Sequence, residues 1–261
     1  METLRVIQGP RTLGLVISRP ESQNSINEKL ITDFHRALDR AETDQSCRLI
    51  VIEGANGVFC TGMDFAEVVS EAAAENHERM RSFNYIELLR RLTSMPKVII
   101  AKVDGRVTAG GVGFVAASDL VVASKRSQFG LSEALWGLLP CCVLPYLIRK
   151  IGFQPAYRMT LTTQTVSAQE ACNFHLVDEV TDDLDDAIRR WMLRLGRLEE
   201  ETIRELKLYF QKMWQISAET EEFAVKEITR LVSKPQVIQN ITNFVTQNQF
   251  PWEQMSNGGK K

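Results

Sequence analysis

Apolar and polar positions fall in short blocks along the first half of the chain. Leu13 to Ser18 and Leu49 to Glu53 are near-continuous, β-branched apolar runs, and they predict buried strands. Between them, Leu30, Ile31, Phe34, Ala37 and Leu38 recur at helical spacing, which predicts a helix over Ile26 to Thr43. A third strand, Lys97 to Val103, follows Met95-Pro96 and stops at the turn signal Asp104-Gly105. A helix of small residues, Gly110 to Ala117, precedes a fourth strand at Leu120 to Ala123. Met1 to Ile7 reads as the start of another strand. Apolar strands joined through helices predict an α/β architecture.

The pattern changes beyond Gln164. Ser167-Ala-Gln-Glu170 is a capping-box sequence that opens a short helix. After Val180, amphipathic helical patterns run to Gln247, broken at Gly196 and Pro235. Trp191, Leu195, Leu206, Phe210, Phe223, Ile228, Leu231, Ile238 and Phe244 supply their apolar faces. A helical tail of this length struggles to close a core of its own. It is expected to pack on the first part, on sister subunits, or on both. The division is therefore a core over 1–182 with the active site, and a helical region over 183–261. The last residues, Ser256 to Lys261, read as disordered.

Composition narrows the function. The chain has 261 residues, 44% of them hydrophobic and 25% charged, with a net charge of -2. That balance argues against nucleic acid, whose phosphates call for a Lys/Arg excess. No apolar run approaches the ~20 residues of a membrane span, and the N-terminus does not read as a signal peptide. Five scattered cysteines with no CxxC pair suggest thiols in a reducing cytoplasm, with neither a disulfide framework nor a zinc site. His35, His77 and His175 lie far apart and read as structural or exposed, so no metal is expected.

Three segments carry candidate chemistry. Val58-Phe-Cys-Thr-Gly-Met-Asp-Phe65 and Gly105-Arg-Val-Thr-Ala-Gly-Gly-Val-Gly113 each follow a strand and enter a helix. Both place backbone N–H groups at a helix start, where negative charge is favoured. Two such groups aimed at one thioester oxygen form an oxyanion hole. A glycine cluster alone is usually a tight turn, and the second segment is not a dinucleotide fingerprint, because Gly111-Val-Gly113 lacks the third glycine. In the third segment, Phe129 to Pro145, Glu133 is the only formal charge. A carboxyl in apolar surroundings has its pKa raised, which suits proton exchange near neutrality, whereas a solvated loop glutamate would not be tuned this way. Cys141-Cys142 could suggest a nucleophile, but adjacent cysteines are more often small core residues. Asp64 is a second acid/base candidate, although an Asp at a helix start more often caps it.

Taken in order, these segments resemble the crotonase (enoyl-CoA hydratase/isomerase) superfamily over nearly the whole chain. The similar stretches are Arg19 to Asn27, Phe59-Cys-Thr-Gly-Met-Asp64, Ala109-Gly-Gly, Ser132-Glu133 with Gly137 and Pro140, and Ser233 through Phe244 to Phe250-Pro-Trp252. The resemblance implies a spiral of ββα units with a C-terminal helical oligomerisation region, and a homo-oligomer, expected to be a trimer. It places the oxyanion donors at the N–H groups of Met63 and Gly110, and the proton-transferring carboxyl at Glu133. Ser22, Gln23, Asn24, Phe65, Gly111 and Cys142 are the implied substrate contacts. No cofactor is implied. The first of the two catalytic glutamates of hydratases falls on Gly113, so activation of water by two carboxylates cannot be carried over.

Glu21 stands where many relatives that use CoA have a cation directly after Arg-Pro. That suits an acyl carrier protein, which lacks the adenosine phosphate, although salt contacts could also come from elsewhere. Within the superfamily the chain looks most similar to the enoyl hydratases of polyketide β-branching. The stretches are Gly110 to Val115, Leu131-Ser-Glu133, Cys142 to Pro145 and Gln249 to Glu253. The resemblance implies dehydration of 3-hydroxy-3-methylglutaryl-ACP to 3-methylglutaconyl-ACP. Three alternatives remain: a CoA-dependent enoyl hydratase or isomerase, the sister decarboxylase, and a non-catalytic scaffold. The substrate's distal carboxylate needs a cationic or donor partner, for which Arg79, Arg81 and Tyr85 are candidates.

Overall fold

The computed structural model describes residues 1–71, 75–213 and 216–253. Strands β1 (Leu4–Gly9) and β2 (Thr12–Ile17) form an antiparallel hairpin with Leu4 opposite Ile17. β3 (Leu49–Gly54), β5 (Val98–Val103), β7 (Leu120–Ser124) and β10 (Glu179–Thr181) extend it in parallel, in the order β1-β2-β3-β5-β7-β10. A second sheet holds β4 (Val58–Cys60), β6 (Arg106–Thr108), β8 (Gln128–Gly130) and β9 (Val166–Ser167). The chain alternates between the sheets: β3 leads to β4, β5 to β6, and β7 to β8. This is the expected spiral of ββα units. The strands of the second sheet are too short to show a period of two, so the sequence pattern does not reveal them.

The large sheet is apolar on both faces, which explains its near-continuous hydrophobic runs. Leu13, Leu15, Ile50, Ile52, Ile99 and Val121 face the main core. The alternate positions Leu49, Val51, Val98, Ile100 and Val122 face Ala187, Ile188 and Ile203. Helix α1 (Glu28–Thr43) begins where Asn27 caps it by accepting the Leu30 N–H, and it buries Leu30, Ile31, Phe34, Ala37 and Leu38. α2 (Phe65–Glu71), α3 (Glu75–Ser94) and α4 (Gly110–Ala117) follow the strand pairs. Next come α5 (Leu144–Ile151), α6 (Phe153–Thr162) and α7 (Ala168–Asn173), the last opened by the expected capping box between Ser167 and Glu170.

The tail forms α8 (Leu184–Leu195), α9 (Glu200–Met213), α10 (Ala218–Val232) and α11 (Pro235–Gln247). The expected breaks at Gly196 and Pro235 fall at the end of α8 and the start of α11. Its apolar residues divide. Ile228, Leu231, Val237 and Ile241 join the main core, and Ala187, Ile188 and Ile203 close the far face of the sheet. Leu206, Phe210 and Phe223, expected on packed faces, are exposed, Phe210 by 64% and Phe223 by 65%. His35 lies between α1 and α3 and His175 is exposed. The side chain of His77 and the tail segment Ser256 to Lys261 lie outside the described residues. No helix among the described residues is long and apolar enough to cross a membrane.

Candidate functional site

The spiral brings the ends of several units to one cavity of about 790 Å³. Its wall includes Met63 after β4, Gly110 at the start of α4, and Glu133 after β8. Three segments that are far apart in sequence thus share one space.

The two glycine segments meet backbone to backbone. Gly62 has φ +86°, a conformation that favours glycine, and a Cβ there would lie 2.5 Å from the Ala109 Cβ and 3.0 Å from the Gly110 nitrogen. Ile26 pairs with Met63 by donating its N–H to the Gly62 carbonyl and accepting the Asp64 N–H. This strand-like alternation turns the Met63 N–H away from Ile26. Gly110 is the first residue of α4, so its N–H has no acceptor within the helix. The preceding Ala109 has φ 50° and ψ -125°, a strained conformation for a residue with a side chain. Gly111 is not on the cavity wall: a Cβ there would lie 2.4 Å from the Cys60 carbonyl oxygen, so its role is to let α4 approach β4.

Glu133 starts a 3-10 turn, Glu133–Trp136. Its Oε2 is buried and has no hydrogen-bond partner. Burial pushes the carboxyl up to about 7, against the backbone N–H groups of Glu133 and Ser132, which pull it down. The group is therefore poised to take or give a proton near neutral pH. Asp64 is differently placed. Its carboxylate accepts from Arg19 at 2.9 Å, Ser25 at 3.1 Å and the Ala66 N–H at 3.1 Å, so it ties the Arg19 loop to the start of α2. Of these two carboxyls, Glu133 keeps the open oxygen.

Ser22, Gln23, Phe65 and Cys142 line the cavity, and Asn24 does not. Asn24 is 1% exposed; its amide oxygen accepts the Arg19 N–H, and its nitrogen donates to the Ala55 and Val58 carbonyls. It shapes the turn that Ser22 and Gln23 present. Burial pushes the neighbouring Cys141 thiol up to about 11, which keeps it protonated near neutrality and disfavours it as a nucleophile.

Of the three candidates for a distal carboxylate, Arg79 is exposed, whereas Arg81 and Tyr85 are buried on the cavity wall. Arg81 lies 3.6 Å from the Glu67 carboxylate. An aromatic wall, centred on Trp136, closes another side. Its ring lies 4.9 Å from Phe65 and 5.1 Å from Phe244, while Phe250 stacks on Trp252 at 4.7 Å. For Phe250 and Trp252 the sequence signal was the resemblance alone, whereas Phe244 also stood on the apolar face of a helical pattern. Trp136 could have been suspected from its place three residues after Glu133.

Two backbone N–H groups beside one tuned carboxyl can hold charge on a thioester oxygen while a proton leaves the α-carbon. The enoyl-CoA hydratase/isomerase family profile matches residues 13–256, and the chain belongs to that family. It is accordingly an enzyme of the hydro-lyase kind. Among its relatives is the bacillaene synthase dehydratase PksH of Bacillus subtilis, 36% identical over 252 residues, which are 97% of each chain. The crystal structure of a polyketide biosynthesis enoyl-CoA hydratase (pksH) from Bacillus subtilis superposes with TM-score 0.88 at 34% identity, covering 95% of this chain and 99% of that one. An enoyl-CoA hydratase from Mycobacterium avium gives TM-score 0.84 at 25% identity, covering 96% and 98%.

Proposed function

We propose that this enzyme dehydrates 3-hydroxy-3-methylglutaryl-ACP to 3-methylglutaconyl-ACP, as part of polyketide β-branching. The observation that carries the reading is the buried, unpartnered Oε2 of Glu133 on a wall shared with Met63 and Gly110. The likeness to a bacillaene synthase dehydratase supports the reaction class. The N–H groups of Met63 and Gly110 hold the thioester oxygen as it gains charge. Glu133 takes the α-proton and returns it to the β-hydroxyl, whose C–O bond breaks as the C=C bond forms and water leaves. The guanidinium of Arg81 receives the distal carboxylate, since it is buried on the same wall. Incubation with 3-hydroxy-3-methylglutaryl-ACP should lower the acyl mass by one water. Loss of CO2 from 3-methylglutaconyl-ACP in a second incubation, with 3-hydroxy-3-methylglutaryl-ACP left unchanged, would instead favour the decarboxylase, and an unchanged mass with both would overturn the reading.

The phosphopantetheine arm enters past Ser22 and Gln23. The exposed Glu21 sits at this mouth and disfavours the additional phosphate of CoA. The expected result is a higher kcat/KM on ACP than on CoA for the same acyl group, with the ACP value falling as salt rises, because Lys and Arg near the mouth, such as the exposed Arg106, steer the acidic carrier and salt screens that attraction. Should CoA be the better substrate and Glu21→Lys change nothing, the carrier assignment fails and the chemistry can stand.

The exposed apolar residues of α9, including Leu206, Tyr209, Phe210 and Met213, pack against sister subunits in a closed homo-oligomer, a trimer. Light scattering at micromolar concentration is expected to give a mass of three chains; a stable, active monomer would refute this.

A further inference from the structure

The proton transfer described above makes no use of the Tyr85 hydroxyl. Tyr85 lies on α3, 8% exposed and on the cavity wall, and its hydroxyl donates to the Gly110 carbonyl. A phenol hydroxyl carries one proton. With that proton committed to Gly110, only oxygen lone pairs remain for whatever occupies the cavity. Burial holds the phenol well above its usual range, and Glu133 is among the charges acting on it in the same direction. It therefore stays neutral.

The surrounding space fixes where this acceptor sits. A Cβ at Gly113 would lie 2.1 Å from the Tyr85 hydroxyl, 3.2 Å from Val143 and 3.3 Å from Leu89. The hydroxyl thus fills the place where a side chain at position 113 would enter. It is also 3.5 Å from where a Cβ on Gly110 would be. A thioester oxygen on the Gly110 N–H brings the substrate's β-carbon into this neighbourhood, since only the α-carbon separates it from the carbonyl. The thioester oxygen and the distal carboxylate are both acceptors. The β-hydroxyl is the one donor next to the reacting carbons, and an acceptor-only tyrosine complements it.

Resting on the dehydration read above, we propose that Tyr85 is a further catalytic residue, whose hydroxyl oxygen accepts the hydrogen of the substrate's β-hydroxyl. That bond turns a lone pair of the departing oxygen toward Glu133, which delivers the proton. The same contact selects 3-hydroxyacyl thioesters over acyl groups that lack the hydroxyl.

The test compares two reactions of the full-length enzyme. Dehydration of 3-hydroxy-3-methylglutaryl-ACP needs the β-hydroxyl, whereas α-proton exchange of 3-methylglutaryl-ACP in D2O needs only Glu133 and the oxyanion donors. Tyr85→Phe is expected to slow dehydration by about 5–10-fold, the scale of one neutral hydrogen bond, and to leave exchange within about twofold. An equal fall in both reactions would overturn the proposal, because the hydroxyl would then act only through the Gly110 peptide. No change in either would also overturn it. A wild-type enzyme that removes no water overturns the dehydration reading, and this inference with it. Gly113→Ala supplies an independent arm: its methyl displaces the hydroxyl, so dehydration should fall more than exchange. In the Tyr85→Phe/Gly113→Ala pair the nearest side-chain neighbours at 113 become Val143 and Leu89 at 3.2 and 3.3 Å, so stability should recover without dehydration. Recovery of dehydration in the pair would refute the role of the hydroxyl.

Discussion

Glu133→Gln is expected to lower turnover at least ~100-fold, the lower range for loss of a general acid–base group, while making the folded protein more stable at pH 8. The second effect follows from the raised pKa. Folding lifts this carboxyl from 4.5 to about 7, so between those values the folded state binds more protons than the unfolded state. Stability therefore falls as pH rises through that window, by about 3 kcal/mol in total. The glutamine carries no charge and escapes the loss. Denaturant melts of the two proteins should coincide near pH 4 and separate progressively toward pH 8. In the proposed mechanism activity has the opposite slope, because the α-proton is taken by the ionised form. In the wild type, kcat/KM should rise about tenfold per pH unit below 7 and level off above it. Near-normal turnover by the glutamine variant would move the proton transfer to another group. Identical melts at pH 8 would show that Glu133 is not ionised at a cost in the folded protein.

This opposition explains why a single isolated charge was informative in the sequence. Glu133 stands alone in an apolar stretch, and apolar neighbours in sequence became apolar surroundings in space because the 3-10 turn after β8 is short. The glycine segments were legible for a similar reason: each follows a strand directly, so the local turn and the helix start set the direction of the backbone groups. Contacts made across the fold were not legible. Asn24 was expected at the substrate, but a loop amide can face inward or outward, and three backbone partners decide here that it braces the turn. Gly111 was expected beside the substrate as well, and its close approach to Cys60 depends on how α4 docks on β4. Helix α5 carries a usable signal, a proline in its first turn at Pro145, that a reading for chemistry passes over. The placing of Tyr85 against Gly113 has no local signature, because it depends on α3 lying beside α4.

Gly111→Ala should be far more damaging than Gly110→Ala. The two positions are adjacent and differ in what the added carbon meets. At Gly110 the nearest atom is the end of the Ile26 side chain at 2.9 Å, which can rotate aside. At Gly111 it is the Cys60 carbonyl oxygen at 2.4 Å, with the Cys60 carbonyl carbon at 3.0 Å. Backbone in a strand cannot give way in that manner, so α4 must withdraw from β4. Withdrawal carries the Gly110 N–H away from Met63, because the segments are held together where Gly62 meets Ala109 and Gly110. Losing one of the two proposed oxyanion donors should cost ~100-fold or more in kcat, and the strained helix docking adds a stability loss of roughly 1–3 kcal/mol. The check is to measure kcat and KM on the acyl-ACP at a temperature where circular dichroism shows both variants folded. Gly111→Ala should lose kcat far more than it raises KM, because the hole grips the oxygen most strongly once charge has developed. If Gly110→Ala proves the worse of the two in kcat, the docking of α4 is not what holds the second donor in place.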